Sequence, residues 1–300
     1  MRSKLFVPGV RPELFAKALA SDADALSFDL EDAVPEPRKT EARALVAALL
    51  RTPAARDAAK LIIVRVNGLR TAHFEADLAA FAAPAVALIN LPKVESGTDV
   101  LAAVAALEHA ESMNGVQQPI RLLVNIETPA ALRAAPEIAA AHARVAGLQL
   151  GLGDLFEPLG LERRDAANVH AAMFAVRMAA ATADVFACDG AFSDLDDMQG
   201  FRAEAEMARR LGYVGKTCIH PRQVAPANEV FRAGAGELAA ARRVVEASRT
   251  AALQGRGAFV VDGRMIDLPF LKRAEALVAA ALDADTRLGA LPPSSGDAAR

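Results

Sequence analysis

The chain has 300 residues, of which 53% are hydrophobic, and a net charge of −3 from 34 basic and 37 acidic residues. This length and hydrophobic content suit one large domain with room for an appendage. The charges are interspersed, so the sequence offers neither a basic tract for nucleic acid nor a polybasic or amphipathic arm for a membrane surface. No stretch of about 20 residues is free of charge, which argues against a membrane-spanning helix.

The two cysteines, Cys188 and Cys218, are too few for a disulfide framework, and no ligand spacing indicates zinc. We expect both to be buried free thiols in a reducing cytoplasm. The apolar run in the N-terminal "MRSKLFVPGV" is too short for a signal peptide, which agrees with a cytoplasmic location.

Short apolar runs alternate with longer, Ala-rich amphipathic segments in the first 220 residues. The runs are Leu-rich or β-branched and mostly continuous, which is typical of strands buried on both faces of a parallel sheet. They cover residues 4–9, 25–32, 61–68, 87–95, 121–127, 147–154, 184–192 and 215–220. Because a helical pattern follows each run, we predict an α/β protein with a (β/α)8 barrel. A doubly wound open sheet is the competing arrangement, although the first run lacks the GxGxxG phosphate fingerprint.

The pattern predicts three regions. Residues 1–220 would form the barrel and catalytic domain. Residues 221–288 are expected to form a C-terminal α/β extension or lid, in the order helix, hairpin or short strand, turn and helix. This extension is too small for an independent core, so we expect it to pack on the barrel or on a neighbouring subunit. Residues 289–300 are rich in Pro, Ser and Gly, and we predict disorder there.

Acidic residues dominate the ends of the predicted strands, where a βα barrel places its active site. Asp29, Glu31 and Asp32 end the second run, Glu127 the fifth and Asp154 the sixth. Oxygen ligands without a Cys/His cluster favour Mg²⁺, with Mn²⁺ as an alternative, and Glu127 and Asp154 are the first candidates to bind it. The alternative is that each of these two acids only caps the helix that follows. The role of Asp29 is left open.

Two cations accompany these acids. Arg65 lies in the apolar run "LIIVRVNG", and a buried guanidinium needs an anionic partner. That partner could be Glu31 or Asp29 within the protein, or a substrate carboxylate, which matches the planar fork of arginine, and both can hold at once. Lys93 in "LPKVES" could be the Schiff-base lysine of a metal-free aldolase, but such chemistry would not require the Glu127/Asp154 pair.

The ordered motifs "LFVPGxRPE", "DLEDAV", "VRVNG", "LPKVES", "NIET", "GLGDL" and "DGRMID" resemble the citrate lyase β-subunit-like family, within the HpcH/HpaI aldolases and malyl-CoA or citramalyl-CoA lyases. The resemblance covers residues 3–280. It implies a (β/α)8 barrel whose C-terminal extension packs on a neighbouring subunit, in a homotrimer or hexamer. It also implies Mg²⁺-dependent retro-aldol or Claisen cleavage of a 3-hydroxyacyl thioester, such as malyl-CoA, citramalyl-CoA or a citryl thioester, to an oxo-acid and an acyl thioester.

By the same resemblance, Glu127 and Asp154 are the Mg²⁺ ligands, and Arg65 binds a substrate carboxylate. Glu31 and Asp32 would act through metal-bound waters and through Arg65. The chain departs from many relatives in having "IETPAA" and "GLGD", where those relatives carry "IETARG" and an acid before the metal-binding Asp. These departures bear on which substrate is bound more than on the metal site.

The resemblance assigns three further residues. Asp267 is matched to the acid/base that a neighbouring subunit presents, although its position before "LPFLKRAEAL" alone would suggest a turn or a helix N-cap. Arg11 and Lys17 would lie near the phosphates of the CoA thioester.

Two other functions remain open at this stage. One is a metal-dependent class II pyruvate aldolase acting on free hydroxy-oxo acids, which the segment "VVDGRMIDLP" disfavours because such aldolases generally lack it. The other is a citrate lyase β subunit that works in a multi-subunit complex with an acyl carrier protein.

Overall fold

Eight parallel strands close into a barrel in the order of the sequence, with β1 paired to both β2 and β8. The computed structural model describes residues 1–289. The strands are β1 (Ser3–Pro8), β2 (Ala25–Asp29), β3 (Leu61–Arg65), β4 (Leu88–Leu91), β5 (Arg121–Ile126), β6 (Val145–Leu150), β7 (Phe186–Asp189) and β8 (Gly215–Cys218). The predicted barrel is therefore confirmed, and the doubly wound open sheet is wrong.

Helices flank the barrel after each strand. They are α1 (Phe15–Leu19), α2 (Lys39–Leu50), α3 (Pro53–Arg56), α4 (Phe74–Phe81), α5 (Gly97–Asn114), α6 (Pro129–Ala140), α7 (Leu152–Phe156), α8 (Ala166–Thr182), α9 (Met198–Arg210) and α10 (Val224–Val230). Across residues 1–289, none of the helices is long and apolar enough to cross a membrane.

The interior of the barrel changes from apolar to polar along the strands. Since side chains alternate along a strand, one set packs under the helices and the other points inward. On β2, Leu26 and Phe28 belong to the large core beneath the helices. Near the amino ends of the strands, a small separate cluster is apolar: Ala25, Ile63, Leu88, Leu123 and Ala146.

A polar layer lies inside the barrel along these strands. Lys4 of β1 is fully buried, and its ammonium donates to the side-chain oxygens of Asn90, at 3.4 Å, and of Gln149. Asn90 in turn donates to Asn125 Oδ1 at 2.7 Å. Burial lowers the pKa of Lys4 to about 8. Polar side chains thus replace apolar ones inside the barrel toward the carboxyl ends of the strands.

A buried ionic network joins β7 and β8 to α9. The ammonium of Lys216 is completely enclosed, 2.6 Å from Asp189 Oδ2 and 2.7 Å from Glu204 Oε1. Arg163 makes a bidentate pair with Glu204 at 2.7 and 2.9 Å. Burial raises the pKa of Asp189 to about 6, although Lys216 opposes that rise. Sequence reasoning did not identify this network, because its members are far apart in the chain.

The second unit of the chain begins at Arg232, and the first unit ends at Phe231. The sequence placed the end of the barrel domain at residue 220. The barrel unit extends further because α10 packs on β1 and β8, and Asn228 on this helix accepts a hydrogen bond from the Ser3 hydroxyl at 2.8 Å.

The second unit contains α11 (Ala235–Leu253), an antiparallel hairpin of β9 (Phe259–Val261) and β10 (Arg264–Ile266), and α12 (Leu268–Gly289). Asp262 and Gly263 form the hairpin turn with φ of 51° and 75°, as a two-residue turn of this kind requires. Arg243 on α11 pairs with Asp262 at 2.7 Å. The predicted disordered tail from residue 290 onward lies outside the described residues, whereas Gly289 ends α12.

Substituting Lys216→Met should lower the free energy of unfolding by about 3–5 kcal/mol, because Asp189 would be left as a buried charge without its ammonium partner. Urea unfolding measures this loss. The matched control is Arg202→Met, which removes an exposed ion pair with Glu229 and should cost about 1 kcal/mol or less. Similar losses in the two variants would contradict the stabilising role of the buried pair of Lys216 and Asp189.

Candidate active site

Asp29 is the last residue of β2, and its carboxylate shapes the turn that follows. Its oxygens accept the backbone N–H groups of Glu31 and Ala33, each at 3.0 Å. The next helical element is a short 3-10 turn at Glu36–Arg38, preceded by Pro35. The acids after β2 therefore do not cap a helix, and the turn holds Glu31 next to Asp32 at the carboxyl end of the barrel.

Arg65, the last residue of β3, lies beside Asp29 in the strand register. Its Nε and Nη2 each donate to Asp29 at 2.7 Å, and its Nη1 lies 2.9 Å from Glu31 and 3.2 Å from Asp32. The guanidinium also stacks over Phe6, 4.8 Å from the ring centroid. Burial alone would lower the pKa of Arg65, but Asp29, Glu31 and Asp32 outweigh it and raise that pKa. Arg65 is thus in an internal ion pair, with Asp29 as its main partner.

Lys93 follows β4 and contacts the same acids from the other side. Its ammonium lies 2.6 Å from Glu31 Oε1 and 3.3 Å from Asp32 Oδ1, and its side chain is half exposed. Burial tends to lower the pKa of Lys93, but the two acids outweigh it and raise that pKa. A protonated ammonium has no lone pair for attack on a carbonyl, so this arrangement disfavours a Schiff-base role.

The pKa values of the two acids between these cations shift in opposite directions. Burial raises the pKa of Glu31 to about 7, although Arg65 and Lys93 oppose the rise. Asp32 is half exposed; burial acts to raise its pKa, but Arg65, Glu31 and Lys93 together bring it below its usual value. Glu31 Oε2 is buried and, within residues 1–289, accepts no hydrogen bond, so its contact with Arg65 is purely ionic.

Glu127 follows β5 and is 2% exposed. Its Oε1 accepts the backbone N–H of Lys93 at 2.6 Å, and its Oε2 accepts the amide of Asn125 at 2.9 Å. Helix α6 is capped instead by Thr128, whose hydroxyl accepts Ala131 N–H at 3.1 Å. Helix capping therefore does not explain Glu127.

Asp154 lies in the first turn of α7, whereas the sequence placed it at the end of the sixth strand. That placement is corrected, because β6 ends at Leu150. Close packing brings the two segments together, since a Cβ on Gly151 would fall 2.5 Å from the Cβ of Glu127. Helix α7 has no side-chain cap, and Asp154 accepts no hydrogen bond in the described part of the chain.

Glu127 and Asp154 are two carboxylates that could hold a hard cation. Burial raises the pKa of each carboxyl, and the charge of Asp154 raises that of Glu127 further. A bound cation would relieve both the burial and the repulsion. No group of three or more His, Cys, Asp or Glu in the described chain could hold a metal. Two carboxylates with remaining positions for water and substrate are, however, what Mg²⁺ commonly uses.

The structure brings together Arg65, Glu31, Asp32 and Glu127, and the charge of Asp154 acts on Glu127. The other three predicted residues are Arg11, Lys17 and Asp267. Arg11 follows β1 and pairs with Glu13, and Lys17 is exposed on α1. Asp267 belongs to the second unit.

Asp267 directly precedes α12, and its backbone carbonyl accepts the N–H of Leu271 at 3.0 Å. Its side-chain Oδ1 is buried and has no hydrogen-bond partner among residues 1–289. The side chain thus does not satisfy the helix end through this oxygen, as a simple N-cap would.

Sequence reasoning missed Asn125 and the positioning contacts of Lys93. Asn125 lies two residues before Glu127, so both side chains point to the same face of β5. That spacing is the signal that could have identified Asn125. For Lys93, the decisive contact is made by the backbone N–H, which no side-chain motif indicates.

A closed parallel barrel with a cluster of acids at the carboxyl ends of its strands defines a class of α/β-barrel enzymes. Residues 2–221 match the model of the HpcH/HpaI aldolase/citrate lyase family, and the chain belongs to that family.

The chain is 35% identical to an L-malyl-CoA/β-methylmalyl-CoA lyase of Cereibacter sphaeroides, over 92% of this chain and 93% of that protein. It is 37% identical to a citrate lyase subunit beta-like protein of Deinococcus radiodurans, over 93% and 96% of the two chains. The structure is similar to that of CitE from Mycobacterium tuberculosis in complex with magnesium, acetoacetate and coenzyme A. The TM-score is 0.72 at 33% identity, covering 94% of this chain and 99% of that one.

These comparisons confirm the family resemblance and the prediction of a carbon–carbon lyase. They leave the assigned roles of the individual site residues as predictions.

Asp154→Asn should raise the stability of the metal-free protein by about 1 kcal/mol or less, because it removes a carboxylate that repels Glu127 and Asp32. We expect Mg²⁺ to raise the melting temperature of the wild-type protein, and the same variant should lose that rise. Thermal unfolding with and without Mg²⁺ measures both effects. Asp196→Asn, which alters an acid that is 99% exposed, should show neither. A full Mg²⁺ response in Asp154→Asn would exclude Asp154 as a ligand.

Proposed function

We propose that the chain is a Mg²⁺-dependent lyase that cleaves a 3-hydroxyacyl-CoA thioester into an oxo-acid and an acyl-CoA. The observation that carries this proposal is the pair Glu127 and Asp154, on segments packed together beside a buried arginine. Both carboxyls have raised pKa values, and neither caps a helix. A bound cation would offset both the burial and the repulsion, and the donor atoms suit Mg²⁺, with Mn²⁺ as a substitute.

Glu127 and Asp154 would hold the cation. When bound, it would supply Lewis acidity that lowers the pKa of a substrate hydroxyl and polarises the ketone of the oxo-acid. The presence of magnesium in the similar CitE structure supports this assignment.

Arg65 would bind the carboxylate of the oxo-acid portion. Its guanidinium is preorganised, because Asp29 fixes Nε and Nη2 with two hydrogen bonds of 2.7 Å each. Glu31 and Asp32 hold the Nη1 side of the same group. A substrate carboxylate would therefore meet a guanidinium that needs no reorganisation. Asp32, half exposed, would also accept hydrogen bonds from water in the site.

Asp267 of a neighbouring subunit would transfer a proton at the carbon of the departing thioester enolate. The buried Oδ1 of Asp267, without a hydrogen-bond partner among the described residues, supports a role outside its own helix. This assignment requires a homo-oligomer, which we propose to be a trimer or a hexamer. Arg11 and Lys17, both exposed, would lie near the phosphates of coenzyme A.

A malyl-type thioester is the substrate that the comparisons favour. The Cereibacter sphaeroides relative is a malyl-CoA and β-methylmalyl-CoA lyase, and the match covers more than nine-tenths of both chains. Coverage of this extent includes the second unit, which disfavours a pyruvate aldolase acting on free acids. Coenzyme A in the similar CitE structure favours CoA over an acyl carrier protein as the thioester carrier.

The purified protein should release glyoxylate and acetyl-CoA from malyl-CoA when Mg²⁺ is present, and no oxo-acid after chelation. Citramalyl-CoA, citryl-CoA and free malate, tested in parallel, identify the preferred thioester by the oxo-acid that each releases. Glu127→Ala should lower turnover by about 100-fold or more, since even outer contacts of a metal site are worth 10–100-fold. Cleavage of free acids, or hydrolysis of the thioester without an oxo-acid, would contradict the proposal.

Asp267→Asn should lower turnover by about 100-fold or more, because general acid–base catalysis contributes 10²–10⁴-fold. The rise in melting temperature with Mg²⁺ should stay at the wild-type value. Mixing Asp267→Asn with Glu127→Ala subunits should restore part of the activity, since some mixed sites would carry an intact Glu127 and an intact Asp267. Wild-type turnover in Asp267→Asn would exclude this role.

A further inference from the structure

Lys93 has a backbone conformation that lysine rarely adopts. Its φ is 55°, in the left-handed region. In the described part of the chain, the other non-glycine residues with positive φ are Asp184 and Asp262, and aspartate tolerates this region better than lysine does. Such conformations persist where the surrounding contacts hold them, and they cluster at functional sites.

In this conformation the Lys93 N–H donates a hydrogen bond to Glu127 Oε1, at 2.6 Å. The other oxygen of Glu127 accepts Asn125. The left-handed turn after β4 therefore fixes one oxygen of the buried carboxylate, while β5 itself fixes the other.

The side chain of Lys93 makes separate contacts. Its ammonium pairs with Glu31 at 2.6 Å and with Asp32 at 3.3 Å. Arg65 cannot replace it, because two of the three guanidinium nitrogens are bound to Asp29. Without the ammonium, Glu31 and Asp32 would share a single nitrogen of Arg65.

We propose that Lys93 is a positioning residue with two separable roles: its left-handed backbone orients Glu127, and its ammonium holds Glu31 and Asp32 against Arg65. This inference rests on the proposed function, in which Glu127 holds the divalent cation. The side chain and the backbone of one residue thus organise acids that follow two different strands, β2 and β5.

Substitutions at position 93 separate the roles. Lys93→Asn removes the ammonium but keeps a residue that accepts the left-handed conformation. Lys93→Val removes the same ammonium and disfavours that conformation, because the side chain is β-branched. Lys93→Arg keeps the positive charge. Lys93→Ala disfavours the left-handed conformation less than Lys93→Val does, and it replaces the valine variant if that variant does not fold.

Mn²⁺ affinity, measured without substrate from the electron paramagnetic resonance signal of free Mn²⁺, reports the backbone role. Lys93→Asn should bind Mn²⁺ as tightly as the wild-type protein or more tightly, since it removes a nearby positive charge. Lys93→Val should bind about 10-fold or more weakly, as expected when a contact that orients a metal ligand is lost. Lys93→Ala should lie between them.

Turnover reports the role of the ammonium. Lys93→Asn should lose about 10–100-fold in kcat in spite of intact Mn²⁺ binding. Lys93→Arg should recover most of that loss by restoring a cation next to Glu31 and Asp32.

Equal Mn²⁺ affinities in the asparagine and valine variants, or in the asparagine and alanine variants where valine prevents folding, would overturn the backbone role. Wild-type kcat in Lys93→Asn would overturn the ammonium role. A wild-type protein that binds no Mn²⁺ would overturn the proposed function and the backbone role together. If the wild-type protein binds Mn²⁺ and Glu127→Gln does not, the proposed role of Glu127 stands. Results for the position 93 variants that then differ from those expected count against this inference alone.

Discussion

The buried pair of Arg65 and Asp29 is the interaction on which the acidic site depends. A guanidinium enclosed in a barrel is costly unless its donors are matched, and here Asp29 matches two of them from the adjacent strand. The third nitrogen then holds Glu31 and Asp32 together. Lys93 contacts the same two acids, so the cations at the ends of β3 and β4 stand between the acids that follow β2 and Glu127 after β5. These ion pairs permit so many acids to lie at one end of the fold.

The polar interior of the barrel supports this arrangement from below. Lys4, Asn90 and Asn125 form a chain of hydrogen bonds that ends at Glu127. The amides of Asn90 and Asn125 each donate and accept a hydrogen bond, so neither is a buried amide without a partner. They lie between the apolar cluster at the amino ends of the strands and the charged residues at the carboxyl ends. The charge of Glu127 acts to raise the pKa of Lys4, although burial outweighs it.

The sequence predicted the fold well because the strands of the barrel are buried on both faces and most of them appear as largely continuous apolar runs. The same continuity hid the position of Asp154, since "GLQLGLGD" gives no sign of where β6 ends and α7 begins. Composition and strand order placed the acids at one end of the barrel. They offered Glu31 or Asp29 as the partner of Arg65 without ranking the two, and they could not reveal that Lys93 contacts Glu127 through its backbone. Those contacts depend on strand register and on a φ value, neither of which follows from a motif.

The small number of protein ligands has a consequence for substrate binding. If Glu127 and Asp154 hold the cation as proposed, most of its coordination positions remain for water and for the substrate. A chelating substrate would then raise the affinity for the cation, and the cation would raise the affinity for the substrate by the same factor, because such coupling is reciprocal. A site with a third protein carboxylate would bind the cation more tightly but would leave less of this coupling for recognition. The ion pairs of Glu31 and Asp32 with Arg65 and Lys93 engage these acids with cations of the protein, and at such a site they would not compete with the substrate as ligands.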